Sequence, residues 1–462
     1  MAHSDADEAD EAEDGVTARL AEFVATTGYD DIPDAALDHA RTAVRDYLGV
    51  AVYGADHEVG RRVGAYVDAH ADGDATTIGG GTASPPGAAL ANGAFGHAVD
   101  YDDTFESIVI HPTSPTFPAA LAVAEREGAT GREALAAYVL GVDAAFRVGH
   151  ATYPSHYEKG WHATGTAGSF GAAAAAASAL GLDADATARA FGVVASGSSS
   201  LKKNFGTMTK PLHAGHAAEQ GVRAALLAAE GFTADPAILD GSLGYGEVMT
   251  GEDGYDPDRV VRDLGADDEW GVLDVGYKPY PSGVITHAAM EALREVVLDR
   301  DLTPEDVERI EVALDDAASE MLHHERPADG LQAKFSIEFC LAAVLRERDP
   351  GIHEFTDEYV TDERTRAVIE KVDRAFEPNI FGGEFAGYGA TVTVTTTGGE
   401  THRAEMRRAP GSPSNPVSEE RLRDKFVENV AARTDEAHAE RLADAVARID
   451  EDGGLDRLLA EL

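Results

Sequence analysis

The hydrophobic and polar positions of the chain fall into two textures. From residue 16 to about residue 235, apolar residues recur at the three- and four-residue spacing of helices that bury one face. This period predicts two amphipathic helices over 16–52, separated by a turn near residues 28–33. Further helices are predicted over 86–101, 114–127, 132–151, 164–182, 185–197 and 213–231. The segment 166–181 is almost entirely Ala and Gly, so its helix belongs in the centre, where neighbours approach closely. A loop-rich stretch over 241–274 follows, and the period then changes to two. Residues 309–314 alternate like a strand, and 390–397 with 401–407 read as a hairpin around Gly398 and Gly399. After Asn415 and Pro416 the helical pattern returns. Ser418 is placed to cap a helix over 419–432, and a last helix covers 435–450.

These textures predict a mainly α protein of two domains, as the length also suggests. A large all-helical domain takes residues 15–271 and 409–462. A smaller α+β domain takes 272–408, and residues 1–14, an acidic polar run, read as a disordered tail. There is no solenoid-type repeat.

Composition changes the picture in three ways. Eighty-three acidic residues against 38 basic ones leave a net charge of −45, spread along the whole chain. Only eight of the basic residues are lysines, a pattern that suggests a surface adapted to molar salt, where the Debye length falls to about 3 Å. A nucleic-acid partner is excluded by this charge, and the regular apolar periodicity opposes a disordered acidic chain. Cys340 is the sole cysteine, which rules out an intramolecular disulfide, a cysteine-ligated iron–sulfur cluster and a cysteine zinc site. Finally, residues 1–14 lack the basic and apolar regions of a signal peptide, and the longest apolar run, 171–182, is too short to span a bilayer. A cytoplasmic protein without a membrane partner is the expectation.

Four clusters could carry chemistry. His97, Asp100, Asp102, Asp103 and Thr104 crowd the end of the predicted helix over 86–101, and His111 follows a short loop. His97 and Asp100, three apart, would share a helix face. A general base with an orienting carboxylate is one reading; helix-end hydrogen bonds with solvated aspartates, or a divalent metal site, are the others. Trp161 and His162 precede the Ala/Gly helix, whose N-terminal amides suit an anion; Gly165, Gly168 and Gly171 lack the strand and lysine of a phosphate loop. Lys210 lies ahead of the helix over 213–231, with His213 and His216 in its first turn, and Lys278 sits in a rigid turn with Tyr277, Pro279, Tyr280 and Pro281. Five of the eight lysines, Lys202, Lys203, Lys210, Lys278 and Lys334, fall between 200 and 335. A cation kept where composition replaces lysine is a candidate to bind a carboxylate.

Seven ordered blocks resemble one family. They are NGAFGHAVDYDDT (92–104), HPTSPTFPAALAVAE (111–125), WHATGTAGSFGAAAAAASALGL (161–182), MTKPLHAGHAAEQG (208–221), GYKPYPSG with TH (276–287), AKFSIEF (333–339) and NPVSEERLRDKF (415–426). Together they are similar to the MmgE/PrpD proteins, which include 2-methylcitrate dehydratase, cis-aconitate decarboxylase and iminodisuccinate epimerase. The resemblance implies a homodimer, a helical domain with a lid-like α+β domain, and a cleft between them that acts on a small di- or tricarboxylate without metal or cofactor. By similarity, Asp100, His111, His162 and Lys210 are its catalytic residues, and Thr104, Lys278, His213 and Tyr280 its substrate-binding residues. Two positions depart from the family pattern. Phe339 stands where many members carry tyrosine, and Gly283 where some carry histidine, which weighs against decarboxylation in particular.

The activity expected is therefore elimination of water from a hydroxy tricarboxylate, as by a 2-methylcitrate dehydratase of propionate catabolism. His111, oriented by Asp100, would take the proton, and a lysine or His162 would protonate the leaving hydroxyl. A decarboxylase or an epimerase would use the same cleft. A non-catalytic carboxylate binder would need the lysines but not the proton-transfer pair.

Overall fold

The computed structural model describes residues 15–251, 253–378, 380–381 and 389–462. The tail expected over 1–14 lies outside the described residues. The protein is mainly α, with a smaller part in which helices cover a sheet. Thirteen helices of at least 11 residues among the described residues are labelled here: α1 Val16–Thr26, α2 Asp34–Asp56, α3 Glu58–His70, α4 Pro85–His97, α5 Thr113–Glu127, α6 Gly131–Thr152, α7 Ala163–Ala179, α8 Ala184–Ala195, α9 Thr209–Ala229, α10 His287–Arg300, α11 Ile337–Glu347, α12 Glu419–Ala431 and α13 Glu436–Ala447.

The alanine-rich α7 runs through the middle of the larger core, with every residue from Ala163 to Ala177 buried. Its neighbours are α6, α9 and α5. Glycines make these crossings possible: a Cβ on Gly171 would lie 2.7 Å from the Gly141 carbonyl oxygen of α6, and one on Gly215 of α9 would lie 2.2 Å from the Leu90 carbonyl oxygen of α4. Any side chain larger than hydrogen would force these axes apart. The last helices belong to the same core: Leu422, Phe426 and Val430 of α12 and Ala439 and Leu442 of α13 pack within it. Ser418 caps α12 by accepting the Arg421 amide at 3.2 Å.

A second hydrophobic cluster runs from Tyr280 to Ala409. The described strands are β1 Ala75–Thr77, β2 Gly81–Ala83, β3 Thr104–Phe105, β4 Val275–Gly276, β5 Val307–Asp315, β6 Val372–Glu377, β7 Ala390–Thr396 and β8 Thr401–Met406, and the sheet of this second part has the order β6-β5-β7-β8. β7 and β8 form the expected hairpin, Gly399 taking the left-handed turn position at φ 83°. β5 pairs antiparallel with β7 and parallel with the edge strand β6. The period-two reading missed β6, whose short sequence Val-Asp-Arg-Ala-Phe-Glu buries little, and it missed α3, α10 and α11.

Two boundary differences matter for the site. The helix predicted over 86–101 ends at His97, because Asp100 adopts a left-handed backbone at φ 55°. His97 and Asp100 therefore do not share a helix face. The helix predicted from 213 begins at Thr209, so Lys210 belongs to the start of α9, one turn before His213, and does not precede the helix. After Asp100 the chain enters β3, Thr104–Phe105, which pairs with β4, Val275–Gly276. That two-residue ladder brings the Asp100 loop beside the turn carrying Lys278. No described helix is long and apolar enough to cross a membrane.

Candidate functional site

The end of α4, the start of α5, the residue capping α7, the first turn of α9 and the Lys278 turn converge on one buried cluster. Asp100 is 4% exposed and sits between two ammonium groups: Lys278 Nζ donates to Oδ1 at 2.6 Å, and Lys210 Nζ lies 3.1 Å from Oδ2. Burial alone would raise the Asp100 carboxyl, but Lys210 and Lys278 override it and hold it well below the usual carboxylate range. Lys210 is itself pulled down by burial, with Asp100 opposing that shift.

The histidine partners assign their tautomers. His97 Nδ1 donates to Asp102, 3.0 Å from Oδ1 and 2.9 Å from Oδ2, so its Nε2 accepts from Lys210 Nζ at 3.0 Å. Ser114 Oγ donates to the same Asp102 carboxylate at 2.6 Å. His111 Nδ1 donates to the Asp103 carbonyl at 2.7 Å, which leaves the Nε2 lone pair facing Asp100 Oδ1 at 3.7 Å. That separation is too long for a hydrogen bond, so the Asp103 carbonyl orients His111, and the expectation that Asp100 does so is corrected. Burial holds His111 and His162 well below the ordinary histidine value, and adjacent cations deepen both shifts. The two are neutral bases at pH 7.

His162 caps α7, and its Nδ1 lies 3.0 Å from the Nδ1 of His213, one donating and the other accepting. The His162 ring stacks over His97 at 5.9 Å between centroids. Thr164 Oγ1, in the first turn of α7, accepts the His111 amide at 3.1 Å. The structure thus brings Asp100, His111, His162, Lys210, His213 and Lys278 together.

Thr104 and Tyr280 stand apart. The Thr104 hydroxyl donates to backbone carbonyls, the Ile110 oxygen at 3.2 Å among them, and faces a smaller cavity shared with Lys278 and His287. The Tyr280 hydroxyl donates to Glu291 at 2.6 Å, with the Arg421 guanidinium over its ring. Of the departures from the family pattern, Phe339 packs against Phe355 and Tyr359 in the second core, and the Gly283 amide donates to the Lys334 carbonyl at 2.9 Å.

Sequence reasoning left His97 and Asp102 outside the named site residues. Asp102 is fully buried and connects through His97 to Lys210. Their spacing in His-Ala-Val-Asp-Tyr-Asp was visible, but among 83 carboxylates nothing marked Asp102 as buried. Asp103 is buried too, accepting from the Thr113 hydroxyl, and burial pushes its carboxyl well above the usual range. The reading of solvated aspartates therefore does not hold for 100, 102 or 103.

His97, Asp100, Asp102 and His111 offer ligand atoms within 4.8 Å of one another. The donor set does not fit a divalent metal: Lys210 occupies His97 Nε2 and Asp100 Oδ2, Lys278 occupies Asp100 Oδ1, and a metal there would face two ammonium charges. A cavity of about 520 Å³ is lined by Val99, Met208, Pro281, Lys334, His57 and Phe355, chain neighbours of the cluster among them, but by none of Asp100, His111, His162, Lys210, His213 and Lys278.

Comparison with known proteins supplies the family. The MmgE/PrpD N-terminal domain matches residues 18–258, and the MmgE/PrpD C-terminal domain matches residues 280–451. The chain belongs to the MmgE/PrpD family. Cis-aconitate decarboxylase of Homo sapiens is 26% identical over 415 residues, covering 87% of this chain and 84% of that protein. That of Mus musculus is 26% identical over 450 residues, covering 94% and 91%, and that of Aspergillus terreus (strain NIH 2624 / FGSC A1156) 26% over 467 residues, covering 95% and 94%. These relatives are lyases, and this MmgE/PrpD protein aligns with nearly their full length.

Proposed function

We propose that the protein is a cofactor-independent lyase that takes a proton from carbon next to a carboxylate of a small di- or tricarboxylate, and that the bond broken next is carbon to hydroxyl, as in 2-methylcitrate dehydration. The observation that carries this reading is the buried Asp100 carboxylate clamped by Lys210 and Lys278, beside a His111 Nε2 with a free lone pair. An incoming substrate carboxylate competes with Asp100 for the two ammonium groups. Those cations then stabilise the enolate-like charge that develops when His111 removes the proton. Lys210, lowered by burial and connected through His97 to Asp102, is suited to hand a proton to the leaving hydroxyl, whereas burial keeps His162 neutral and without a ready proton to give.

Decarboxylation is a second reading, favoured by the names of the relatives. There the carbon–carbon bond breaks, carbon dioxide leaves, and the same groups protonate the resulting carbanion. Incubation with 2-methylcitrate, citrate, cis-aconitate and iminodisuccinate in high KCl, followed by mass spectrometry, tests both. Loss of water supports the first reading and release of carbon dioxide the second. Deuterium uptake from solvent alone would indicate epimerisation. Tight binding of every acid without any product would overturn the enzymatic proposal. As a family member the protein is proposed to act as a homodimer, which light scattering would check.

A further inference from the structure

Three consecutive backbone carbonyls in the Asp100 loop each accept a hydrogen bond from a different buried lysine. Lys334 Nζ donates to the Val99 oxygen at 2.6 Å, Lys278 Nζ to the Asp100 oxygen at 3.1 Å, and Lys425 Nζ to the Tyr101 oxygen at 2.8 Å. The three come from well-separated parts of the chain: the turn after β4, the segment before α11, and α12. With Lys210 on the Asp100 side chain, four of the eight lysines of this chain address three consecutive residues.

Ordinary packing does not account for this arrangement. Burying an ammonium is costly unless it is paired, and a loop carbonyl is satisfied just as well by a neutral amide. Lys334 is 3% exposed, and its recorded partners are the Val99 and Pro281 oxygens and the face of the Phe355 ring, with no carboxylate in ion-pair contact among the described residues. Burial pushes it down to about 7, so the ammonium form is far costlier here than for an exposed lysine. Lys425 does have a carboxylate, Asp46 at 2.7 Å, yet it still turns a proton to Tyr101 and lies over that ring at 4.1 Å. Between these carbonyls sits Asp100 at φ 55°, a left-handed conformation uncommon for residues with a side chain, though aspartate enters it more readily than most. A loop that relaxed to ordinary φ would swing the carboxylate away from Lys210 and His111.

We infer that Lys334 and Lys425 are positioning residues of the site, which with Lys278 clamp the carbonyls of Val99, Asp100 and Tyr101 and so hold Asp100 in the backbone conformation that presents its carboxylate to Lys210. The inference rests on the proposal that Asp100 belongs to the reacting site.

The test compares Lys334→Met, and the paired change Asp46→Asn with Lys425→Met, against Asp143→Asn with Arg147→Met. The last removes an equally buried ion pair, 2.6 Å long, that does not touch the loop. Crystal structures report φ at residue 100, melting temperature reports stability, and kcat and KM are measured on whichever acid the wild type converts. The clamp predicts that residue 100 leaves positive φ in the loop variants and that kcat falls about 10²-fold, the order expected for a displacement near 1 Å. KM should stay within about threefold, while the control loses stability and keeps kcat. Positive φ at residue 100 with kcat within about twofold of wild type would overturn the inference. Should Lys334→Met fail to fold, Asp46→Asn with Lys425→Met is read alone by the same measures. If the wild type converts none of the acids, the proposed function fails, while φ at residue 100 still decides the clamp.

Discussion

Replacing Asp100 by asparagine keeps the shape of the side chain and deletes the charge that Lys210 and Lys278 share. The two ammonium groups stand 3.1 and 2.6 Å from its oxygens, and all three side chains are at most 6% exposed. Removing one partner of a buried ion pair costs about 3–5 kcal/mol, because the charge left behind has neither water nor counter-ion. Two stranded ammonium groups push toward the upper end. Lys210 relieves part of this by releasing its proton, since Asp100 is the main influence opposing the effect of its burial. Unfolding entropy of about 2.1 cal/mol/K per residue over 462 residues makes 1 kcal/mol worth about 1 °C, so Asp100→Asn should melt about 3–5 °C below wild type at pH 7. Differential scanning calorimetry in molar KCl reads this directly. The pH course is a second check. Asp100 has a folded pKa below its unfolded value of about 3.9, so its contribution is fully present above that value and is lost as pH falls through the folded one. The gap between wild type and variant should therefore persist to about pH 5 and narrow only below about pH 4. Melting within about 1 °C of wild type at pH 7 would refute the reasoning, because it would mean that the carboxylate carries no unscreened charge.

Three further outcomes are expected. His111→Ala should lower turnover by about 10²–10⁴, measured by mass spectrometry of product in molar KCl, and near-wild-type turnover would remove His111 from proton transfer. Because burial holds the His111 pKa well below its ordinary value, the base form persists in mild acid: kcat/KM should stay level from pH 8 down to about pH 6, and a loss centred near pH 6.5 would show an exposed histidine instead. With a net charge of −45, the melting temperature should rise steeply between about 0.1 and 2 M KCl as the Debye length shrinks from about 10 Å to under 3 Å; a flat response would contradict the high-salt reading of the composition.

Much of the fold was legible because helical period and helical burial coincide. α6, predicted over 132–151, runs Gly131–Thr152, and α5, predicted over 114–127, runs Thr113–Glu127. The errors have physical causes. α4 was predicted four residues too long because Ala98, Val99 and Tyr101 continue an apolar pattern, whereas the lysines that bend the loop come from distant sequence. α9 was predicted to start late because Lys210 and Pro211 look like loop residues, although Pro211 occupies the first turn, where its missing amide costs nothing. In the site, rarity marked Lys210 and Lys278, since a basic residue stands out against this background. Nothing marked Asp102 or Lys425: the first is one acid among many, and the second is three-dimensionally close to Asp46 and Tyr101 but far from both in sequence.

The hydrogen bond from Lys425 to the Tyr101 carbonyl spans 324 positions of the chain. During synthesis at about 5–20 residues per second, the loop bearing Asp100 leaves the ribosome some 16–65 s before the residue that secures it. The clamp proposed for the Asp100 loop is thus completed only once α12 has been made, well after Lys278 and Lys334 have emerged to meet the Asp100 and Val99 carbonyls.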